Sequence, residues 1–211
     1  RPDFGAPAPG DSERMRTWRR GPHDVDLLIT GVGMVATAAW CSRALARTEY
    51  DVALNVGVCG SFDAAFAPGA VVHVISDRIA ELGAEDADRF LSVEELKLLD
   101  PSDGPLARAE LVNGRPPVSA ALARLPRVRG ISVNTVHGNA RSIADVRERF
   151  APQIESMEGA GFMYGCLLHD VRFAQIRAVS NVVETRNRAS WRLVEAVANV
   201  TATVLDVIGE L

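Results

Sequence analysis

Ile154-Glu-Ser-Met-Glu-Gly-Ala-Gly161, taken with Arg177-Ala-Val-Ser-Asn-Val182, twice sets a short apolar strand before polar residues at its carboxyl end. Open α/β sheets hold their ligands there. One carboxylate, Glu158, and one amide, Asn181, are then expected to face the same crevice. Such a pair suits a polyhydroxylated ring beside a hydrogen-bonding heterocycle, the make-up of a nucleoside. Each residue alone has a plainer reading, Glu158 as a helix cap and Asn181 as an Asx-turn residue closing a strand. Their shared place at successive strand ends favours the crevice.

Outward from this pair, apolar runs alternate with helical patterns. Val25–Thr30 reads as a buried strand, Gly31-Val-Gly33 as a tight turn, and Met34–Thr48 as a helix. Val52–Val56 is a second strand ending on the turn Gly57-Val-Cys-Gly-Ser-Phe62, and Ala70–Ser76 is a third. Residues 84–114 mix acids, prolines and glycines and read as a long surface excursion. Further on come a short helix at Ser119–Leu125, a strand at Gly130–Asn134, a helix at Ser142–Phe150, a helix at Gly159–His169, a strand at Phe173–Ser180 and a closing helix at Ser190–Ile208. This alternation predicts an α/β fold, a largely parallel sheet covered by helices on both faces. Residues 1–24, rich in Pro, Gly and charge, read as a loop-rich segment with a basic turn around Arg14–Arg20, and 25–211 as the folded domain.

The chain has 211 residues, 47% of them hydrophobic and 24% charged, enough for one domain with a substantial core. Its net charge of -4 argues against a nucleic-acid partner, which needs a basic face. Three cysteines, Cys41, Cys59 and Cys166, show neither a disulfide framework nor zinc spacing, which fits a cytoplasmic protein. No apolar run is long enough for a membrane span. Four histidines without an i, i+4 pair give no metal pattern, so neither metal nor cofactor is expected.

Several groups could line a ligand. Gly31-Val-Gly33 resembles the start of a dinucleotide fingerprint, but position 36 is Ala and no acidic residue follows at the right place, so a structural turn is favoured. Gly57 and Gly60 around Val58 and Cys59 allow backbone to approach a flat ligand, and Cys59 is expected to be an inert buried thiol. His137 and Asn139 beside Gly138 form either a loop turn or part of a ligand wall. Arg186 and Arg188 sit close enough to Asn181 to hold a ligand carboxylate, although composition alone makes Glu184–Arg188 a solvated loop.

Asn55-Val-Gly-Val-Cys-Gly60, Ser156-Met-Glu-Gly-Ala160 and Val179-Ser-Asn181 resemble, in order and spacing, signatures of the nucleoside phosphorylase and nucleosidase superfamily. Longer strings, including Val133-Asn-Thr-Val-His-Gly138 and Ser180-Asn-Val-Val-Glu-Thr-Arg-Asn-Arg188, are similar to its futalosine hydrolases, which release hypoxanthine from futalosine in a menaquinone pathway. The resemblance implies a three-layer α/β/α domain with a mixed, mostly parallel sheet, and a homo-oligomer. It implies that Glu158 binds the ribose 2' and 3' hydroxyls, that Met157 packs on the sugar, and that Gly57–Phe62 with Val136 and His137 walls the base. Asn181 stands where adenine-specific nucleosidases carry a proton-donating aspartate; an amide suits a 6-oxopurine such as hypoxanthine. The family's phosphorylases hold phosphate with an arginine and a serine at places that here fall on Asn55 and Val58, so water is the expected attacker. The family pattern also carries a water-activating glutamate after an initial strand. Asp11 and Glu13 are acidic, but no apolar strand precedes either. The competing expectations are a nucleosidase for methylthioadenosine, S-adenosylhomocysteine or aminodeoxyfutalosine, and a non-catalytic nucleoside-binding protein.

Overall fold

The computed structural model describes residues 14–100, 102, 104–106 and 109–211. In chain order the elements are β1 (Met15–Arg20), β2 (His23–Leu28), α1 (Met34–Leu45), β3 (Val52–Ser61), β4 (Val71–Ile79), β5 (Gly83–Asp86), β6 (Arg89–Ser92) and β7 (Leu111–Val112). They continue with α2 (Ala120–Ala123), β8 (Arg127–Ser132), α3 (Ala140–Phe150), β9 (Ile154–Ser156), α4 (Gly159–Leu168), β10 (Arg172–Val182) and α5 (Leu193–Gly209).

The central sheet runs β10-β3-β9-β8-β4-β7, with a further antiparallel pairing of β10 to β4. The β10–β3, β4–β8 and β8–β9 pairs are parallel, whereas β3–β9 and β4–β7 are antiparallel. The α/β class and the mixed sheet are therefore as expected, with three parallel and three antiparallel pairings among the described residues, but the sheet is not open. Among the described residues β10, β3, β9, β8 and β4 close into a ring. Its apolar filling draws on every strand of that ring: Cys59, Val72 and Val74, Val128, Ile154 and Val179. Helices α1 and α4 pack on one side of the ring and α5 with α2 on the other.

Three expectations are corrected. The basic turn at Arg14–Arg20 is strand β1, which pairs antiparallel with β2 across Gly21 and Pro22, so the boundary expected at 24/25 falls within a hairpin. Four arginines concealed it: Arg16 and Arg19 face solvent, while Met15, Thr17 and Trp18 are half-buried. The strand expected at Val25–Thr30 is consequently a hairpin arm outside the central sheet, and Leu27 and Ile29 are about half exposed. Residues 1–13, with Asp11 and Glu13, lie outside the described residues. Lastly, Gly57–Phe62 is not a turn, since β3 continues to Ser61 in register with β10, pairing Gly57 with Arg177 and Cys59 with Val179. The two glycines serve side chains that cross the strand rather than a bend. The excursion at 84–114 carries the β5–β6 hairpin and re-enters the core at fully buried Leu111.

Candidate functional site

Successive β10 residues face opposite ways. Ala174, Ile176 and Ala178 pack against Ala196, Val200 and Val207 of α5. Phe173, Gln175 and Arg177 face α4 instead: the Phe173 ring meets Phe162 edge-on at 5.7 Å, Gln175 Nε2 donates to Asp77 Oδ2 at 2.9 Å, and Arg177 Nη1 donates to Glu158 Oε2 at 3.4 Å. The alternation breaks between Val179 and Asn181, where pairing to β3 slips by one residue and sets Asn181 against Gly60. Such a bulge re-aims the side chain that follows it.

Glu158 precedes α4 but makes no side-chain cap to that helix. Its Oε1 accepts from Gly33 N at 3.2 Å, so the carboxylate reaches the amino end of α1, where the helix dipole favours negative charge. Gly31-Val-Gly33 is thus a structural turn whose amide serves Glu158. Glu158 is 20% exposed and Arg177 3%, so the ion pair is covered on the arginine side and open on the carboxylate side. The guanidinium lies where a Cβ on Gly57 would stand. Its Nη1 also donates to Val58 O at 3.5 Å, while Nε and Nη2, like Asn55 Oδ1, are sealed without a partner. A sealed, unpaired donor costs about 1–3 kcal/mol, more when charged, and a binding site is where such groups persist.

The second cluster surrounds Gly60, whose cross-strand neighbours are Asn181 on β10 and Glu155 on β9. A Cβ at Gly60 would lie 3.4 Å from both Asn181 Nδ2 and Glu155 Cγ. Val183 Cγ2, 2.8 Å from that Cβ position, fills the space that the missing side chain leaves. Asn181 is oriented by its neighbours: Ser180 Oγ donates to its Oδ1 at 2.8 Å and its Nδ2 donates to Val182 O at 3.0 Å. One amide hydrogen remains unspent. Glu155, 3% exposed, accepts from His137 N at 3.1 Å and from His137 Nδ1 at 2.6 Å. Phe62 meets the His137 ring edge-on at 6.1 Å, and half-buried Val136 packs beside Phe62 and Val183. Asn139 is no wall residue here, because its Oδ1 caps α3 by accepting from Arg141 N at 2.9 Å.

Beneath Glu158 the first amides of α4 are received by hydroxyls, Gly159 N by Ser156 Oγ at 3.2 Å and Ala160 N by Ser132 Oγ at 2.7 Å. Ser132 then donates to Asp77 Oδ1 at 3.0 Å. Burial pushes the Asp77 carboxyl up to about 6, against the opposing pull of Gln175, Ser132 and Arg177. The folded chain therefore holds this proton above the pH at which the unfolded chain releases it. The stabilising contribution is whole below about pH 4, the ordinary range, and is lost as pH rises through about 6. Asp77→Asn should remove this slope, and Gln175, whose Oε1 has no partner, can turn its amide to accept from the new NH2. Urea unfolding at pH 4.5 and 7.5 should show the variant gaining on wild type by on the order of 2 kcal/mol at the higher pH. A pH-independent difference would contradict this account.

Met157 is half-buried next to Glu158. Cys59 is buried, its thiol pushed up to about 12 chiefly by that burial, which leaves it no role as a nucleophile at neutral pH. Val58 turns toward the α5 side of the sheet. Arg186 and Arg188 are exposed and both stack on Trp191, at 5.5 and 6.0 Å, and Arg186 N donates to Gly138 O at 3.1 Å, tying this loop to the His137 segment. A cavity of about 630 Å³ elsewhere, between Arg78, Phe90, Glu110 and Arg149, includes none of these residues. Among the described residues no cluster of His, Cys, Asp and Glu is arranged to hold a metal ion, and no helix is long and apolar enough to cross a membrane. Sequence reasoning missed Arg177, Asp77, Gln175 and Glu155. The available signal was charge or amide within apolar strands, where a polar residue stays only with partners.

Residues 7–209 match the profile of the phosphorylase superfamily. The chain is 35% identical to a futalosine hydrolase of Streptomyces coelicolor, over 97% of this chain and 86% of that one. It is 34% identical to a futalosine hydrolase of Acidothermus cellulolyticus, over 79% of this chain and 68% of that one. In fold it is similar to a 5'-methylthioadenosine/S-adenosylhomocysteine nucleosidase of Colwellia psychrerythraea solved with adenine, at a TM-score of 0.74 and 20% identity over 92% of this chain and 81% of that one. The match across nearly the whole length, with the relatives' identity, places the chain in a family: it belongs to the phosphorylase superfamily.

Proposed function

We propose that this chain hydrolyses the N-glycosidic bond of futalosine, releasing hypoxanthine and dehypoxanthine futalosine for menaquinone biosynthesis. The observation that carries the reading is the Glu158 carboxylate, held by Gly33 N and Arg177 and still 20% exposed, with the oriented Asn181 amide at the end of the same strand that carries Arg177. Glu158, open on one side, accepts the ribose 2' and 3' hydroxyls, with Met157 against the sugar. The spare Asn181 N–H donates to N7 or O6 of the base, and Phe62, Val136 and His137 wall it together with the Gly57–Gly60 strand. As the glycosidic bond lengthens, the electron pair moves onto the purine; the amide donor stabilises that developing charge while the sugar becomes oxocarbenium-like. Water then adds at the anomeric carbon and gives up a proton to solvent, while the departing hypoxanthine anion takes one up, so that both products leave neutral. Arg177, the guanidinium under Gly57, is already paired with Glu158, which favours water over phosphate as the nucleophile. Arg186 and Arg188, on the loop tied to Gly138, would take the carboxylate end of the substrate. A nucleosidase domain that includes the β1–β2 hairpin, assembled as a cytoplasmic homo-oligomer, accompanies this reading.

Purified protein given futalosine in phosphate-free buffer should release hypoxanthine, followed by chromatography. Strict dependence on added phosphate would overturn hydrolysis. Faster release of adenine from methylthioadenosine or aminodeoxyfutalosine would overturn the choice of substrate.

A further inference from the structure

We infer that His137 and Glu155 form a base-reading pair, in which Glu155 holds the His137 ring so that Nε2 accepts the N1–H of a 6-oxopurine and disfavours a 6-aminopurine. The inference rests on the nucleosidase reading above and goes beyond it by assigning the discrimination to two side chains. Both side-chain and main-chain donors of His137 turn the same way, with N at 3.1 Å from Glu155 Oε1 and Nδ1 at 2.6 Å from Glu155 Oε2. A carboxylate offers only acceptors, so Nδ1 carries a hydrogen, and in the neutral imidazole that leaves the lone pair at Nε2. Nε2 has no hydrogen-bond partner among the described residues, and it is not among the sealed polar atoms. Glu155 itself is 3% exposed and cross-paired with Gly60, so it lies too deep to meet a ligand except through the histidine, which is 14% exposed.

Gly60 is then flanked by two different walls. Asn181 brings a donor from β10 and His137, held from β9, brings an acceptor. A 6-oxopurine offers an acceptor at N7 and O6 and a donor at N1, complementary to both walls. A 6-aminopurine has a lone pair at N1, which would meet the lone pair of Nε2. Phe62, edge-on to the imidazole, limits the ring's freedom to swing away from this pairing. Glu155 is thus a positioning residue and His137 the contact.

Glu155→Gln keeps the shape but allows the amide NH2 to donate to Nδ1, which moves the ring hydrogen to Nε2 and reverses the pattern. The ratio of kcat/KM for futalosine over aminodeoxyfutalosine should then fall by roughly 10- to 100-fold, the range for matching or mismatching one buried hydrogen bond. His137→Phe, which keeps a ring but removes the acceptor, should lower the same ratio, and serves if the glutamine variant fails to fold. Nitrogen-15 NMR of the histidine rings should find His137 as the Nδ1–H tautomer in the wild type and Nε2–H in the glutamine variant. A wild type that prefers futalosine, with folded variants of unchanged ratio, would overturn the pair and leave the functional reading standing. Release of no base from any nucleoside would overturn the functional reading. The tautomer still decides the pair in that case, and an Nε2–H ring in the wild type sinks it.

Discussion

Glu158→Gln should lower kcat/KM for the nucleoside by about 10- to 150-fold, the equivalent of about 1.5–3 kcal/mol for a hydrogen bond to a charged group. Gln and Glu share a shape, but the amide replaces one acceptor with a donor. In the folded chain one oxygen accepts from Gly33 N and the other faces Arg177 Nη1, so an NH2 at either place meets another donor. The substitution also leaves Arg177, 3% exposed and with two sealed donors, without its anionic neighbour. Some loss of stability is therefore expected beside the loss of turnover. Steady-state kinetics with a thermal melt separates the two effects, and a folded variant with unchanged kcat and KM would remove Glu158 from the site.

Gly161→Val should destabilise the chain by about 3 kcal/mol, near the upper end for forcing atoms into a packed core. A Cβ at this position would run into the carbonyl of Met34, at the start of α1. Main chain cannot rotate aside as a flexible side chain can. The two helices also share buried Ala160, Phe162, Met163 and Cys166, so separating them opens the core that they make with Met34. For a chain of this length the melting temperature should fall by roughly 6–12 °C. Gly209→Ala, at a position with nothing within 4 Å, is the control and should be near neutral or slightly stabilising. An unchanged melting temperature for Gly161→Val would show that α1 and α4 are less closely seated than described. Activity should fall further than stability alone explains, because Gly33, the amide donor to Glu158, is the residue immediately before α1.

The alternation of apolar strands and helices made the α/β class legible, and Glu158 and Asn181 could be placed at strand ends although β9 has only three residues and β10 carries Gln175 and Arg177 among its apolar positions. Ring closure was not legible, since it depends on β10 pairing with β4, strands whose partner residues lie more than a hundred positions apart and whose edges look alike in sequence. Gly57 and Gly60 were read as bending the chain. They lie instead in continuous strand and make room for Arg177 at Gly57 and for Val183, beside Asn181 and Glu155, at Gly60, a distinction that only neighbouring strands can supply. The β1 strand was masked by its arginines, since a hairpin arm with one solvated face tolerates charge at every exposed position. Glu155 escaped notice because its partner, His137, lies in a different loop.

The one-residue slip at Ser180 divides β10 into two independent halves. Before it, each position is committed by the sheet's strict alternation: Arg177 cannot change sides without Ala178 and Ile176 leaving the α5 core. After it, residue 181 follows the bulge and can be exchanged without disturbing that packing. On the proposed reading, the sugar end of the crevice is thereby tied to the stability of the whole domain while the position assigned to the base is decoupled from it, so a change of heterocycle would not require a change of the ribose contact.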